Sequence, residues 1–253
     1  MKRADRLHHI LGLFTVERPV WTIEEAASVL GVSISTVYRQ FGALVRSGLL
    51  DAVEESRVYV LGPAIIEMDR NIRFSDPLIT VAKPAMRWLA EQSPVPCAVL
   101  LCRLYRDRVM CIHQEKKGES ADQVSYERGR PMPLSMGAPS KTILSQLSSR
   151  RLSALALRFE DDKSEQDKLG SAEFRKELIK IRKLGYAVTR GEVDKGVIGV
   201  AVPLSTPLRG IVASLGVACF GNPDDIVVAR VRALLVATAE TISTSIQVDE
   251  RWK

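Results

Sequence analysis

Residues 22–47 read TIEEAASVLGVSISTVYRQFGALVRS, two short amphipathic segments separated by a tight break. Thr22 and Glu25 have the spacing of a capping box that begins a helix, and Gly31 suits the left-handed conformation that ends one. Ser33 is placed to cap a second helix. Apolar residues recur in that helix every three or four positions and predict one buried stripe: Ile34, Val37, Phe41, Leu44 and Val45. The stretch therefore predicts a helix-turn-helix.

The other face of the second helix is small and polar, with Ser35, Thr36, Arg39 and Gln40. These residue types contact phosphates and base edges in protein–DNA complexes. A solvated face on a structural helix has the same pattern, so the flanking segments must decide between the two.

The segment after Gly48 predicts a wing. Residues 49–53 and 57–61 have the pattern of two short strands around the polar turn at 54–56. An amphipathic helix over residues 7–14 precedes the stretch and ends near Pro19. The order of elements indicates a winged helix-turn-helix, in which Arg39 and Arg57 are candidate phosphate contacts.

Length and charge limit the remaining possibilities. The chain has 253 residues, 46% of them hydrophobic, which suggests two domains with packed cores. Its net charge is +6, but residues 1–62 contain seven basic and seven acidic side chains and are neutral. A neutral DNA-binding domain implies modest affinity for each monomer, which favours a dimer on a repeated site.

The sequence contains neither an apolar signal core nor a membrane-spanning segment, so we expect a cytoplasmic protein that does not contact membranes. Its four cysteines form no CxxC motif, which argues against a disulfide framework or a zinc ribbon. We expect no cofactor and no metal.

Residues 63–92 are predicted to form linker helices, the first over about 63–73 and the second beginning at Pro77. Their apolar faces are more typical of a dimer surface than of a ligand site. The predicted domain limits are therefore 1–62 for the winged helix, 63–92 for the linker and 93–253 for the second domain.

The second domain opens with a predicted hairpin over residues 97–104 and 108–114. If Arg106 and Asp107 form its loop, Cys102 lies opposite Cys111 and Leu100 opposite His113. The two cysteines and His113 could in principle bind zinc, but no fourth ligand is evident and cysteine is common in apolar cores.

A second informative stretch is RGRPMPLSMGAPSK at residues 128–141. Gly137 and Ala138 lead into Pro139, a favoured residue in the first turn of a helix that should end near Leu147. The free amides of such a helix start favour a bound carboxylate or phosphate, although the motif is also that of an ordinary capped helix.

The rest of the chain predicts an antiparallel sheet flanked by helices, an α+β fold. We expect a surface loop at 158–170, then a helix ending at Gly185, and strands at 186–189, 197–204 and 211–220, the last two joined by a turn at 205–210. A long final helix begins near Asp224 and Asp225. Its predicted buried stripe is Val227, Val231, Leu235, Ala239, Ile242 and Ile246.

Three sets of residues give the chain a specific resemblance. They are STVYRQFGAL at 35–44, RPMPLSMGAPSKTIL at 130–144, and GYAVTRGEVDKGVIGVAVPLS at 185–205 with ASLGVACFG at 213–221. Over nearly its whole length the chain resembles the IclR family of bacterial transcription regulators. The resemblance implies a winged-helix domain that binds a near-palindromic operator in double-stranded DNA, a linker helix, and a GAF-like domain that binds an effector. It also implies a homodimer or a dimer of dimers, typically controlling a catabolic operon.

Two sets of site residues result, a DNA-binding set from the second helix and the wing, and an effector-binding set that the resemblance implies. The DNA-binding set is Ser33, Ser35, Thr36, Tyr38, Arg39, Gln40 and Arg57. The effector-binding set is Met136, Gly137, Ala138, Thr189, Gly199, Gly216 and Ala218. Some relatives carry acidic, cysteine or serine side chains at the strand positions, which are smaller or less polar here. This difference favours a bulkier, partly apolar acid, flat or branched, held without a lysine.

Two other functions fit parts of the pattern. An enzyme could use Cys219 and His113, but no serine lies in a G-x-S-x-G elbow, and the other two histidines belong to the winged helix. The second domain could instead be a dimerisation module that binds no ligand. We expect a regulator rather than an enzyme.

Overall fold

The computed structural model describes residues 3–53, 55–119, 124–159, 162–206 and 212–248. The chain divides into two compact units, Met1–Phe74 and Ser75–Lys253. The first unit extends past residue 62 and takes in most of the first linker helix. The three-part division predicted from the sequence stays a prediction.

The first unit has the winged helix-turn-helix order. Its elements are α1 (Arg3–Leu11), α2 (Ile23–Leu30), α3 (Ile34–Arg46), β1 (Leu50–Val53), β2 (Val58–Leu61) and α4 (Ala64–Ser75). Both hydrogen bonds of the Thr22–Glu25 capping box are present, and Gly31 ends α2 with a φ of 63°. The strands β1 and β2 pair antiparallel and form the predicted wing. Residue 54 of the predicted wing turn lies outside the described residues.

The buried stripe of α3 differs from the predicted one at Ile34 and Gln40, and Val45 is only half-buried. Ile34 is 54% exposed because it begins the helix, beyond the edge of the core. Gln40 is only 8% exposed because positions 37, 40, 41 and 44 follow one helical face. The placement of Gln40 on the exposed polar face was therefore wrong. Ser33 occupies the N-cap position, but its hydroxyl contacts Thr36 Oγ1 at 2.8 Å and caps no backbone amide.

The second unit is a half-barrel sheet packed between helices, as the predicted α+β fold class requires. Its six strands are β3 (Cys97–Tyr105), β4 (Arg108–Lys117), β5 (Pro131–Met132), β6 (Ala187–Arg190), β7 (Ile198–Leu204) and β8 (Ala213–Cys219). Its helices are α5 (Pro77–Gln92), α6 (Ala138–Ser145), α7 (Ser149–Ala156), α8 (Lys163–Gly170), α9 (Ala172–Leu184) and α10 (Asp225–Val248). All neighbouring strands are antiparallel, in the order β5-β4-β3-β8-β7-β6.

Alternation along the strands gives the sheet two apolar faces. One face packs against α5 and α10, and the buried stripe of α10 follows the predicted positions from Val231 to Ile246, whereas Val228 rather than Val227 is buried at its start. The other face packs against α6 and contains Ala98, Leu100, Ala201 and Ala218. The helix α6 thus lies across small side chains, which lets its start approach the strands closely.

The register of the first hairpin was only partly predicted. Cys102 does lie opposite Cys111. A β-bulge next to Cys102 then shifts the pairing by one residue, so that His113 faces Leu101 rather than Leu100. The extra residue of a bulge reverses the side-chain alternation on one strand, and the sequence carried no signal for it.

The predicted surface loop at 158–170 was wrong in its second half. Residues 163–170 form α8, whose Glu165 and Leu169 are buried on one face. Asp162 caps the helix by accepting a hydrogen bond from the Glu165 amide at 3.1 Å. An acidic cap three residues before a glutamate was the available signal. Residues 160 and 161, and residues 207–211 of the turn and strand predicted there, lie outside the described residues.

Candidate functional site

The exposed face of α3 carries most of the predicted DNA-binding residues. Ser33, Ser35, Tyr38 and Arg39 are exposed, and Thr36 is half-buried. Because they occupy the first turn and a half of the helix, these side chains project from its N-terminal end. In helix-turn-helix proteins this end of the second helix enters the major groove. Gln40 does not belong to the face, since its side chain lies in the core.

Arg57 is the last residue of the turn that joins the two strands of the wing, directly before β2. It is exposed and has a φ of 52°, a left-handed conformation that residues other than glycine seldom adopt. The turn therefore places its guanidinium on the surface of the first unit, where a phosphate contact is sterically open.

Five of the seven predicted effector residues surround one small cavity between α6 and the sheet. They are Gly137, Ala138, Thr189, Gly199 and Ala218. The other two do not line it. Met136 contributes a carbonyl that accepts a hydrogen bond from the Tyr126 hydroxyl at 2.9 Å. Gly216 lies beneath Pro139, where an added Cβ would come within 3.2 Å of the proline ring.

Two glycines allow the start of α6 to sit this close to the sheet. Gly137 has a φ of 81°, and a Cβ there would lie 2.8 Å from the Tyr126 ring. A Cβ at Gly199 would lie 2.8 Å from Thr189 Oγ1 and 3.4 Å from the Ala138 methyl. Real Cβ atoms do not approach neighbours so closely, so both positions require glycine.

The cavity is much smaller than the roomy pocket that the small strand residues predicted. Its volume is about 30 Å³, enough for roughly two water molecules. Sites for drug-sized ligands usually measure about 300 to 1,000 Å³. Leu100, Val124, Tyr126, Val193 and Val197 fill the space that an effector would need. An aromatic acid can enter only if part of this wall moves.

The amide of Gly137, predicted to hold the effector carboxylate, already has a partner. It donates a hydrogen bond to Glu192 Oε2 at 3.1 Å. The other oxygen, Glu192 Oε1, accepts from Lys141 Nζ at 2.6 Å, and Glu177 Oε1 accepts from the same ammonium group at 2.7 Å. The anion site is therefore occupied by a carboxylate of the protein itself.

The prediction of an anion site without a lysine was wrong. The side chain of Lys141 is only 5% exposed. Burial alone would lower its pKa, but the hydrogen bonds and charges of Glu177 and Glu192 outweigh that effect and raise the pKa of Lys141. The ammonium group is thus a permanent positive charge beside the helix start. The lysine of GAPSK and the glutamate of RGE were visible in the sequence, but nothing local showed that they meet.

Tyr126 is another site residue that the sequence did not reveal. Its hydroxyl lies 2.8 Å from Ser140 Oγ, which in turn donates to the Pro133 carbonyl at 2.7 Å. Burial raises the pKa of the Tyr126 hydroxyl, so it stays a neutral donor to the carbonyl of Met136. The Tyr126 hydroxyl thereby contacts both the segment before α6, at Met136, and the first turn of the helix, at Ser140.

Two larger clefts lie along α10, with volumes of about 450 Å³ and 550 Å³. None of the seven predicted effector residues, all within the described part of the chain, lines either cleft. The clefts are larger, but only the small cavity, of these three, brings glycines, a helix start and buried polar groups together at one point. The small cavity is therefore the better candidate site.

The side chains proposed for an enzyme or a metal site are poorly suited to those roles. Cys219 is fully buried, and desolvation raises the pKa of its thiol to about 12, which leaves almost no nucleophilic thiolate. Burial likewise lowers the pKa of His113, which pairs with Glu115 at 3.0 Å. Within the described ranges no group of three or more histidine, cysteine or acidic side chains could hold a metal ion.

Among the described residues, no helix combines the length and the apolar character needed to cross a bilayer.

Comparisons with known proteins agree with the architecture. Residues 74–244 match the family model "Bacterial transcriptional regulator IclR C-terminal". The chain is 25% identical over 249 residues, 97% of either protein, to the HTH-type transcriptional regulator XynR of Escherichia coli (strain K12). An IclR family transcriptional regulator from Brucella abortus shares the fold, with a TM-score of 0.79, 20% identity, and coverage of 96% of this chain and 91% of that one.

An IclR homologue from Microbacterium hydrocarbonoxydans, solved in complex with 4-hydroxybenzoate, has the same fold. It aligns with a TM-score of 0.75 and 18% identity, covering 98% of this chain and 100% of that one. The matching family model spans well over half of the chain, and both the winged helix and the half-barrel sheet are present. The chain therefore belongs to the IclR family, whose members are bacterial transcriptional regulators and not enzymes.

Proposed function

We propose that the protein binds a near-palindromic operator as a dimer or a dimer of dimers in the cytoplasm, and that a small organic acid controls this binding at a catabolic operon. The observation that carries the proposal is that each of the two units contains a different candidate site. An exposed polar face lies on α3 in one unit, and a small cavity at the start of α6 lies in the other.

Two features support the proposed dimer: the zero net charge of the winged-helix segment and the exposed apolar side chains of α4. The predicted winged-helix segment is neutral, so a single copy gains little from counterion release on DNA. The helix α4 buries none of its residues and exposes Ile66, Met68, Ile72 and Phe74. Several large apolar side chains left exposed on one helix are typical of an interface between copies.

The effector class rests on the chemistry of the cavity. The start of α6 offers backbone amides and the positive end of the helix dipole, and the walls are largely apolar. A flat or branched organic acid matches both features. The 4-hydroxybenzoate bound by the Microbacterium homologue is an acid of this class. An effector can shift operator affinity only by the difference in its own affinity for the two states, and that difference sets whether it favours repression or activation.

Operator binding can be tested by footprinting the full chain on the DNA beside its own gene. We expect two protected half-sites about one helical turn apart, related by approximate two-fold symmetry. Arg39→Ala should weaken binding by about 1 to 3 kcal/mol if the arginine pairs with a guanine. Arg46→Ala is the matched control, because Arg46 is exposed at the opposite end of the same helix. Protection of one unrepeated half-site, or equal losses in both variants, would contradict the proposal.

Effector control can be tested by measuring the thermal stability and operator affinity of the full chain with a panel of aromatic and branched acids. We expect at least one acid to raise the melting temperature and to change operator affinity. A dimerisation module without a ligand would show neither response to any acid in the panel.

A further inference from the structure

The loop between β6 and β7 closes the candidate cavity from one side. Val193 and Val197 of this loop line the cavity, and the Gly191 amide bonds to the Val197 carbonyl at 2.9 Å to close the loop base. Gly191 and Gly196 have φ values of 63° and 77°, and a Cβ on either would meet almost no neighbouring atom. The loop therefore has a conformationally permissive glycine near each end and an apolar underside.

Two carboxylates hold the loop in place. Asp194 accepts hydrogen bonds from both the backbone amide and the hydroxyl of Ser125, on the segment that includes the cavity-lining Tyr126. Glu192 accepts from the Gly137 amide and from Lys141. Each carboxylate thus joins the loop to one neighbouring wall of the cavity.

The carboxylate of Glu192 has the chemistry expected of an effector's acid group. It is an anion bound by an amide at a helix N-terminus and paired with an ammonium group that is nearly inaccessible to solvent. An incoming carboxylate needs these same donors. The cavity, at about 30 Å³, cannot take the body of such an acid while Val193 and Val197 stay in place.

We propose that Glu192 is an internal competitor for the effector's acid group, and that an acid binds by displacing the Glu192 carboxylate from Gly137 and Lys141 and lifting the loop at 191–197. This inference rests on the proposed function, since it concerns the same cavity. It adds Lys141 as the counter-ion of the effector and Glu192 as the residue that sets the affinity threshold. Lys141 keeps Glu177 as a partner after the exchange, so no buried charge is left alone.

The test uses the full chain with acetate and benzoate as probes. Glu192→Ala removes the competitor and leaves its donors unoccupied. Glu177→Ala is the matched control, because Glu177 shares Lys141 but does not bond to the Gly137 amide in this structure. We expect acetate to raise the melting temperature of Glu192→Ala saturably. The melting temperatures of the wild type and Glu177→Ala should be the same in sodium acetate as in an equal concentration of sodium chloride.

Calorimetry with benzoate gives a second readout. Benzoate should bind Glu192→Ala at least about tenfold more tightly than the wild type, since no internal anion has to leave. Glu192→Gln retains the size of the side chain and loses the charge, so it should also bind benzoate more tightly. This variant keeps the test decisive if Glu192→Ala folds poorly.

The outcomes separate this inference from the proposed function. Equal benzoate affinity in wild type, Glu192→Gln and Glu192→Ala would overturn the competitor role while leaving an acid-binding site intact. Failure of both probes to bind any variant would overturn the inference, and operator binding controlled by some other acid would still support the proposed function. The supporting result is tighter benzoate binding in both Glu192 variants, together with a saturable rise in the melting temperature of Glu192→Ala in acetate.

Discussion

The helices α3 and α6 each present a candidate site, but they do so in opposite ways. Apart from Arg57 in the wing, the exposed residues predicted to contact DNA lie within two turns of α3 and project from one side of a helix whose other side is buried. All eight residues of α6 are buried, and its site is completed by groups from β3, β6, β7, β8 and two loops. One site is a surface of a single element, and the other exists only after the whole unit has folded.

This difference decides how each site should respond to mutation. Exposed side chains on α3 can be replaced with little effect on folding, because they have few tertiary contacts to lose. Around α6, binding groups and packing groups are the same atoms, so a change there must disturb stability as well as ligand binding. Substitutions ordered by their expected effect can test the contrast.

Gly137→Ala should have the largest effect. The backbone at Gly137 has φ 81° and ψ 150°, a region that is essentially restricted to glycine. The new methyl would also lie 2.8 Å from the ring of Tyr126, which is buried and held by hydrogen bonds. We expect urea unfolding of the second unit, followed by circular dichroism, to show a loss of about 3 kcal/mol or more.

Gly129→Ala is the control for the backbone contribution. Gly129 also has a positive φ, 85°, but a Cβ there would meet nothing within 4 Å. The free energy of unfolding of Gly129→Ala should fall by only about 1 kcal/mol. If the two variants were equally stable, close packing at the start of α6 would not be what requires glycine at position 137.

The sequence predicted the local features of both helices and missed the contacts that join distant segments. Capping at Thr22, the end of α2 at Gly31 and the stripe of α10 from Val231 to Ile246 follow from residues a few positions apart, and the structure confirms them. The hydrogen bond from Gly137 to Glu192 joins residues 55 positions apart, and no periodic pattern encodes such a contact. The predicted exposure of Gln40 was wrong for a local reason. Its helical phase with Val37 and Leu44 indicates burial, but the polarity of its side chain indicates exposure.

Lys141→Met should have the next largest effect. It removes the ammonium group that pairs with Glu177 and Glu192, while the methionine keeps most of the buried alkyl chain. Both carboxylates retain some contact with water, which reduces the cost below that of a fully buried pair. We expect a loss of about 1 to 2 kcal/mol in the free energy of unfolding.

Arg190→Met is the matched control for this substitution. Arg190 pairs with Asp225 at 2.5 Å, but the two side chains are 52% and 90% exposed. An exposed pair of this kind should contribute less than about 0.5 kcal/mol. Equal losses in the two methionine variants would show that burial at α6 does not strengthen its ion pairs.

Gln40→Leu should have the smallest effect and the opposite sign. The side-chain oxygen Oε1 of Gln40 is buried and has no hydrogen-bond partner among the residues that the structure describes. A leucine of similar size removes this unsatisfied acceptor and packs beside Val37 and Leu44, so the first unit should become more stable by about 1 kcal/mol. Operator affinity should stay unchanged, in contrast with Arg39→Ala. If Gln40→Leu instead loses operator affinity while remaining folded, the glutamine must rotate out of the core to contact DNA. The recognition surface of α3 would then depend on a buried residue, as the site at α6 does, and the contrast between the two helices would fail.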